Sequence, residues 1–183
     1  MTQSVRLIHL TLGNKIARTL WQFVWLVLYR PTPRLLHRWR CLLLKIFGAK
    51  LGKDVHMYPS ARIWAPWNLE MGDHSCLSDS VDCYCVDKIY IGAYSTVSQY
   101  SFLCTASHDY TIESMPLLTA PITIGDRVWI TSDVFVGPGV TIGDGAVVTA
   151  RSSVFCDLPP WHVAKGNPAS AYKPREFEGS SNY

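Results

Sequence analysis

"PITIGDRVWITSDVFVGPGVTIGDGAVVTARSSV", residues 121–154, reads in sixes. Ile124, Ile130, Val136, Ile142, Val148 and Val154 stand six apart, and four residues after most of them comes a small or β-branched one: Val128, Val134, Val140, Ala146, Ser152. The same count runs backwards through Leu103, Val97, Ile91, Cys83, Leu77, Met71, Ile63, Met57 and Leu51, which makes fifteen hexads between 51 and 158. A six-residue period is the signature of a parallel β-helix. Each hexad is a short strand and a corner, with the aliphatic residue pointing into a triangular prism and the small one giving room to turn. Three hexads close one coil, so the pattern predicts about five coils. Each coil buries its core face only against its neighbours, so both ends need caps.

The phase of the count carries further information. Met71 follows Leu51 by 20 residues and Ile91 follows Met71 by 20, whereas Ile142 follows Ile124 by 18. The early coils therefore hold two extra residues, Leu69-Glu70 and Ile89-Tyr90. Between Ile91 and Ile124 the spacing is 33. The excess falls after hexad 103–108, so residues 109 to about 121 are expected to leave the prism as a loop and return at "PITIG". His108 stands at the root of that excursion, among the small and polar residues of "TASHD". Long excursions from a solenoid tend to carry function, and an accessible imidazole there is a candidate for acid–base work.

At 183 residues the chain is long enough for one domain with a sizeable core, and 48% hydrophobic against 17% charged residues excludes a disordered protein. The net charge of +3 conceals an asymmetry. Residues 1–53 hold ten Lys or Arg and no acid, and residues 54–183 hold seven basic residues against fourteen acidic. "TLWQFVWLVLY" (19–29) is apolar but shorter than the ~20 residues a membrane span needs. Pro31 and Pro33 end it. "RLLHRWRCLLLKIF" then places Leu35, Leu36, Trp39, Leu42, Leu43, Ile46 and Phe47 on one helical face, with Arg38, Arg40 and Lys45 off it. Gly48 supplies the stop. Two helices are expected, about 15–29 and 34–47, capping the open end of the prism within a basic segment 1–50. The alternative use of such a segment is docking on an anionic membrane surface. The prism follows over 51–158 and a cap and tail over 159–183. Six cysteines without metal-ligand spacing, and no secretory signal, suggest a reducing compartment, the cytoplasm, with peripheral attachment to an inner membrane as an option. No feature calls for nucleic acid.

"LCTASHDY", "PITIGDRVWI", "VGPGVTIG" and "PPWHVAKGNPAS" together resemble the hexapeptide-repeat acetyltransferases, nearest the colanic-acid-biosynthesis branch and close to the maltose, galactoside and nodulation-factor enzymes. The resemblance covers about residues 13–173. It implies a left-handed coil, which spacing cannot show and which departs from the usual right-handed crossover. It also implies a homotrimer with sites between subunits, acetyl-CoA as donor, and a sugar hydroxyl of a bacterial surface polysaccharide or its precursor as acceptor. The family's catalytic base falls on His108 and its oxyanion donor on Ser132, with Trp129 beside the CoA arm and Ala150 at a small position along the pantetheine. CoA phosphates call for cations, and Lys165 and Lys173 are candidates, with a solvated surface charge as the other reading. Ser78, Asp79 and Asp82 are candidates for the acceptor side. Phe155-Cys156 departs from the Thr-Lys pair common in relatives. Transfer is expected to be direct and to need no metal. The zinc carbonic anhydrases on the same helix need three histidines, and position 113 is Glu. A non-catalytic scaffold, or an antibiotic or amino-acid acceptor, are the competing readings.

Overall fold

The computed structural model describes residues 6, 7 and 11–177. Helix α1 (Leu12–Val24) runs on as a wider π-turn to Tyr29, and α2 spans His37–Ile46. Beyond them the chain winds as a left-handed parallel β-helix with three faces. Strands Lys50–Leu51, Leu69–Met71, Ile89–Ile91, Ile122–Ile124 and Thr141–Ile142 form the first face. His56–Met57, Cys76–Leu77, Thr96–Val97, Trp129–Ile130 and Val147–Val148 form the second, extended by His162–Gly166 and, antiparallel to it, Ala169–Pro174. Arg62–Ile63, Asp82–Tyr84, Phe102–Cys104, Phe135–Val136 and Ser153–Val154 form the third. The hexad positions pair in register, as Leu77 with Val97, Ile124 with Ile142 and Leu103 with Val136. Strand His162–Gly166 adds a partial turn beyond the five coils that the hexads count.

The repeat explains its own composition. The aliphatic column is buried from Met57 to Val154. The glycine after it marks where coils nearly touch: a Cβ on Gly92 would lie 2.4 Å from the Gly125 carbonyl carbon. At that corner aspartates tie successive coils together, with the Ala93 N–H donating to Asp126 Oδ1 at 2.7 Å and the Asp126 N–H to Asp144 Oδ1 at 2.8 Å. The extra residues Leu69 and Ile89 lengthen strands of the first face and are themselves buried.

The open end at the first coil would expose a row of carbonyls without partners, which is costly when buried and an aggregation hazard when not. The helices close it with side-chain donors. Trp21 Nε1–H donates to Ile63 O at 2.7 Å, Trp25 Nε1–H to Ala61 O at 2.9 Å, and Tyr29 O–H to Tyr58 O at 3.2 Å. Arg40 Nε–H donates to Met57 O at 2.6 Å and Cys41 Sγ–H to Val55 O at 3.3 Å. Arg40 is wholly buried, and its remaining N–H groups reach Thr32 Oγ1 and the carbonyls of Pro33 and Arg34. This corrects the helical-face reading of α2. The side turned to the prism carries Arg40, Leu43 and Leu44, while Leu35, Leu36, Trp39, Leu42 and Ile46 face outward. Edge carbonyls attract donors more than aliphatics, and that demand sets the orientation. After α2, Gly48 at φ 90° lets its N–H reach Lys45 O and the Ala49 N–H reach Leu44 O, a paired closure that ends the helix.

Candidate active site

The excursion is an ordered hairpin. Strand Ala106–His108 pairs antiparallel with Leu117–Thr119, and His108 lies opposite Leu117. The prism is left at buried Thr105, three residues earlier than the hexad count implies, so Ser107 is exposed on the hairpin instead of filling a corner. The root is pinned at one point. The Thr105 hydroxyl donates to Tyr84 O at 2.9 Å and accepts from the Asp87 N–H at 2.9 Å; the Thr119 hydroxyl donates to Asp87 Oδ2 at 3.1 Å. The N-terminal strand Arg6–Leu7 adds a third strand on Leu118–Thr119, so the chain entering α1 is tied to the hairpin that carries His108.

The imidazole is exposed, with Nδ1 at 2.6 Å from Met115 O. A carbonyl only accepts, so Nδ1 carries the hydrogen, and in the neutral ring the lone pair is then on Nε2. That is the tautomer a general base requires, fixed by a backbone partner on the far limb of the same hairpin.

The other site residues gather elsewhere. Asp79, Gln99, Ser132 and Ala150 stack at the corner between the second and third faces, with the Tyr100 N–H bonded to Asp79 O, Asp133 to Gln99 O and Arg151 to Ser132 O. Among the described residues, the N–H groups of Ser132 and Ala150 donate to no group of the chain and remain open to an outside acceptor. Trp129 projects from the second face below them, about half exposed, its indole N–H donating to Ser98 Oγ at 3.1 Å. Lys165 and Lys173 come from the two C-terminal antiparallel strands and flank one ring, at 4.2 Å and 5.7 Å from the Tyr172 centroid. The sequence had no signal for Tyr172, nor for Arg127, Trp161 and Arg175, which with Trp129 line a cavity of about 480 Å³ on the second face.

His108 leaves from the corner after the third face, and Ser132 lies at the corner before it. A full face of the prism separates them, and no hydrogen bond or ion pair among the described residues joins His108 to Ser78, Asp79, Asp82, Ser132 or Trp129. Two of the acceptor-side carboxylates already have partners. Asp79 accepts from Ser60 Oγ at 2.8 Å and pairs with Arg34 at 3.3 Å, which ties it to the helical cap. Asp82 faces Arg62 at 3.9 Å; burial pushes its carboxyl up from the ordinary value and the guanidinium partly offsets this. Ser78 is half-buried beside Cys76 Sγ at 3.8 Å. Phe155 continues an aromatic ladder, 5.5 Å from Phe135. No group of three or more metal-ligating side chains is present among the described residues.

Sequence comparison adds the decisive observation. The chain is 48% identical over 163 residues to WcaF of Escherichia coli (strain K12), a protein named as a colanic acid biosynthesis acetyltransferase, covering 89% of this chain and 90% of that protein. The chain belongs to the colanic-acid-type hexapeptide-repeat acetyltransferases. Among solved structures, a maltose O-acetyltransferase from Clostridium difficile 630 superposes with a TM-score of 0.81 at 29% identity, over 89% of this chain and 88% of that one. A hexapeptide-repeat acetyltransferase from Vibrio cholerae, solved with acetyl coenzyme A, shares the fold at a TM-score of 0.80 and 24% identity, over 91% of each chain. No protein-family model matches the chain. The enzyme class is therefore acyl transfer, on a scaffold whose described residues split the candidate site between two corners.

Proposed function

We propose that this acetyltransferase moves the acetyl group of acetyl-CoA directly to a sugar hydroxyl of a bacterial surface polysaccharide or its lipid-linked precursor, in the cytoplasm. The observation that carries the reading is the His108 tautomer at the root of the excursion. A thioester is already activated, whereas a hydroxyl at neutral pH is a poor nucleophile and needs a base. The hydroxyl oxygen attacks the thioester carbonyl carbon as His108 Nε2 takes its proton. The tetrahedral oxyanion is held by a backbone N–H, for which the open Ser132 donor is suited. The C–S bond then breaks and the imidazolium returns the proton to the CoA thiolate. Trp129 and the corner at Ala150 suit the pantetheine arm, and Lys165 and Lys173 suit its phosphates. Ser78 remains the acceptor-side residue with the fewest ties, while Asp79 and Asp82 act through ion pairs in the free chain.

The separation of His108 from the Ser132 corner supports a site shared between chains, His108 from one subunit facing the Ser132 corner of the next. Three such sites close in a homotrimer. The test is co-expression of two variants, His108→Ala and Ala150→Trp, each blocking a different half. Acetyl transfer to a sugar panel is expected to vanish in each alone. With random mixing at equal expression, about a quarter of all sites in the co-expressed population, one in each mixed trimer, regain both intact halves, with activity to match. If the mixtures stay inactive while each variant still assembles, the shared site is wrong. If His108→Ala alone keeps wild-type turnover, the base assignment is wrong.

A further inference from the structure

The outer surface of the helical cap does not look like the outside of a water-soluble helix. On α1 and the π-turn that continues it, Trp21 and Trp25 turn to the prism, and the opposite side carries Leu12, Ile16, Leu20, Phe23 and Val27 at helical spacing, Phe23 at 64% exposure. On α2 and just before it, Trp39, Leu42 and Ile46 with Leu35 repeat the pattern, Ile46 at 67%. The two stripes meet where the Trp39 indole N–H donates to Leu28 O at 2.9 Å, beside exposed Leu26 and Leu28. Capping does not require this surface, because the edge carbonyls take their donors from the other side of each helix. A solvated helix facing away from the core carries polar residues there, and an apolar patch of this extent marks an interaction site.

The charge around the stripes identifies the occupant. The segment 1–53 contains no acidic residue, and Lys15, Arg30, Arg38 and Lys45 are exposed around the apolar surface. Where α2 meets the first coil, a cavity of about 760 Å³ next to Leu42 of the outward stripe is lined by Arg38, Lys45 and Lys53 and also by Asp54 and Asp73, with Arg38 at 4.0 Å from Asp54, so Lys45 is the cation of the stripe's border there that no ion pair engages among the described residues. Cations bordering an apolar stripe match the boundary between headgroup and acyl chain. No described helix is long and apolar enough to cross a bilayer. We infer that the helical cap lies on an anionic phospholipid bilayer, its apolar stripes in the headgroup boundary and its Lys and Arg among the phosphates. Its mode of attachment does not depend on the chemistry assigned to His108. A sugar acceptor carried on a membrane lipid would be met by an enzyme held at that surface by one end of its prism.

Vesicle flotation tests it, with the full chain and vesicles of phosphatidylcholine containing phosphatidylglycerol or of phosphatidylcholine alone. Wild type is expected to float with the anionic vesicles at low salt and to be released at high salt. Arg38→Gln with Lys45→Gln should weaken binding roughly fivefold per cation removed. Leu20→Ser with Phe23→Ser should abolish flotation while acetyl-CoA binding and the circular dichroism melt stay at wild type, since both residues are exposed. Absence of wild-type flotation with anionic vesicles overturns the proposal. So does flotation that persists in Leu20→Ser/Phe23→Ser while light scattering shows that variant falling to monomers, which would make this face a contact between copies of the chain.

Discussion

The third face of the prism and the hairpin that leaves it are one continuous run of chain under opposite rules. Phe102–Cys104 lies between two parallel neighbours, with Leu103 wholly buried in the aliphatic column. Four residues after Cys104, His108 is exposed, paired only within its own hairpin and fixed by one carbonyl. The prism holds its shape by repetition, so each core side chain matters to stability and none is chemically distinctive. The hairpin is held at its root by Thr105, Asp87 and Thr119, and its exposed residues are free to serve chemistry. Stability and activity should therefore respond to different residues, and paired substitutions can break that separation.

The largest contrast is between Ile142 and His108. Ile142→Ala opens a cavity between coils that can collapse only partly and is expected to cost about 2–5 kcal/mol of folding stability. Turnover of the folded fraction should stay near wild type, because Ile142 lies on the first face, away from both corners. His108→Ala removes an exposed ring and is expected to change stability by less than about 0.5 kcal/mol, while kcat falls about 10²–10⁴-fold. Urea denaturation and steady-state kinetics on both variants read the two effects. If His108→Ala were as destabilising as Ile142→Ala, the hairpin would belong to the core and its loss of activity would say nothing about a base.

A smaller effect probes the joint between the regions. Thr119 is buried and its hydroxyl donates to Asp87, whose backbone N–H is held by Thr105. Thr119→Val keeps the shape and removes that bond. About 1 kcal/mol of stability should be lost, together with a roughly three- to tenfold fall in kcat/KM as the hairpin loses its pinned orientation. A stability loss with unchanged kcat/KM would mean that the backbone ladder alone positions His108.

The prism was legible because its signal is one-dimensional: an inward side chain every six residues has one physical meaning, and a skipped count can only be an excursion. The root of the hairpin was placed three residues late because Leu103 and Ser107 still satisfy the hexad where the chain has already turned out at Thr105. The helices were legible as helices and as a cap, but not in orientation. An apolar stripe is read by default as core-facing, whereas here the interior asks for donors to Val55, Met57, Tyr58, Ala61 and Ile63, and Cys41, Arg40, Tyr29, Trp25 and Trp21 supply them in turn. In the site, His108 stood out through the broken period. The separation of His108 from Ser132 by a full face needed the fold. Tyr172 and Arg175 lie after the last hexad, where no period exists to mark them.

The smallest expected effect concerns that C-terminal region. Lys165 and Lys173 share the Tyr172 ring and have no carboxylate partner among the described residues, which favours contact with an anion. An exposed cation beside a phosphate contributes modestly, since water and salt screen it. Lys165→Ala should raise the Kd of acetyl-CoA about fivefold at low salt, with kcat at saturation unchanged, because the interaction is the same in ground and transition states. Calorimetric titration with CoA and with 3′-dephospho-CoA locates the contact. If Lys165 meets the 3′-phosphate, the variant and wild type should bind dephospho-CoA equally, and a deficit that persists would move the contact to the pyrophosphate. An unchanged Kd for every ligand would return Lys165 to the solvated surface and leave Lys173, with Arg127 and Arg175 beside the Trp129 cavity, as the cations to substitute next.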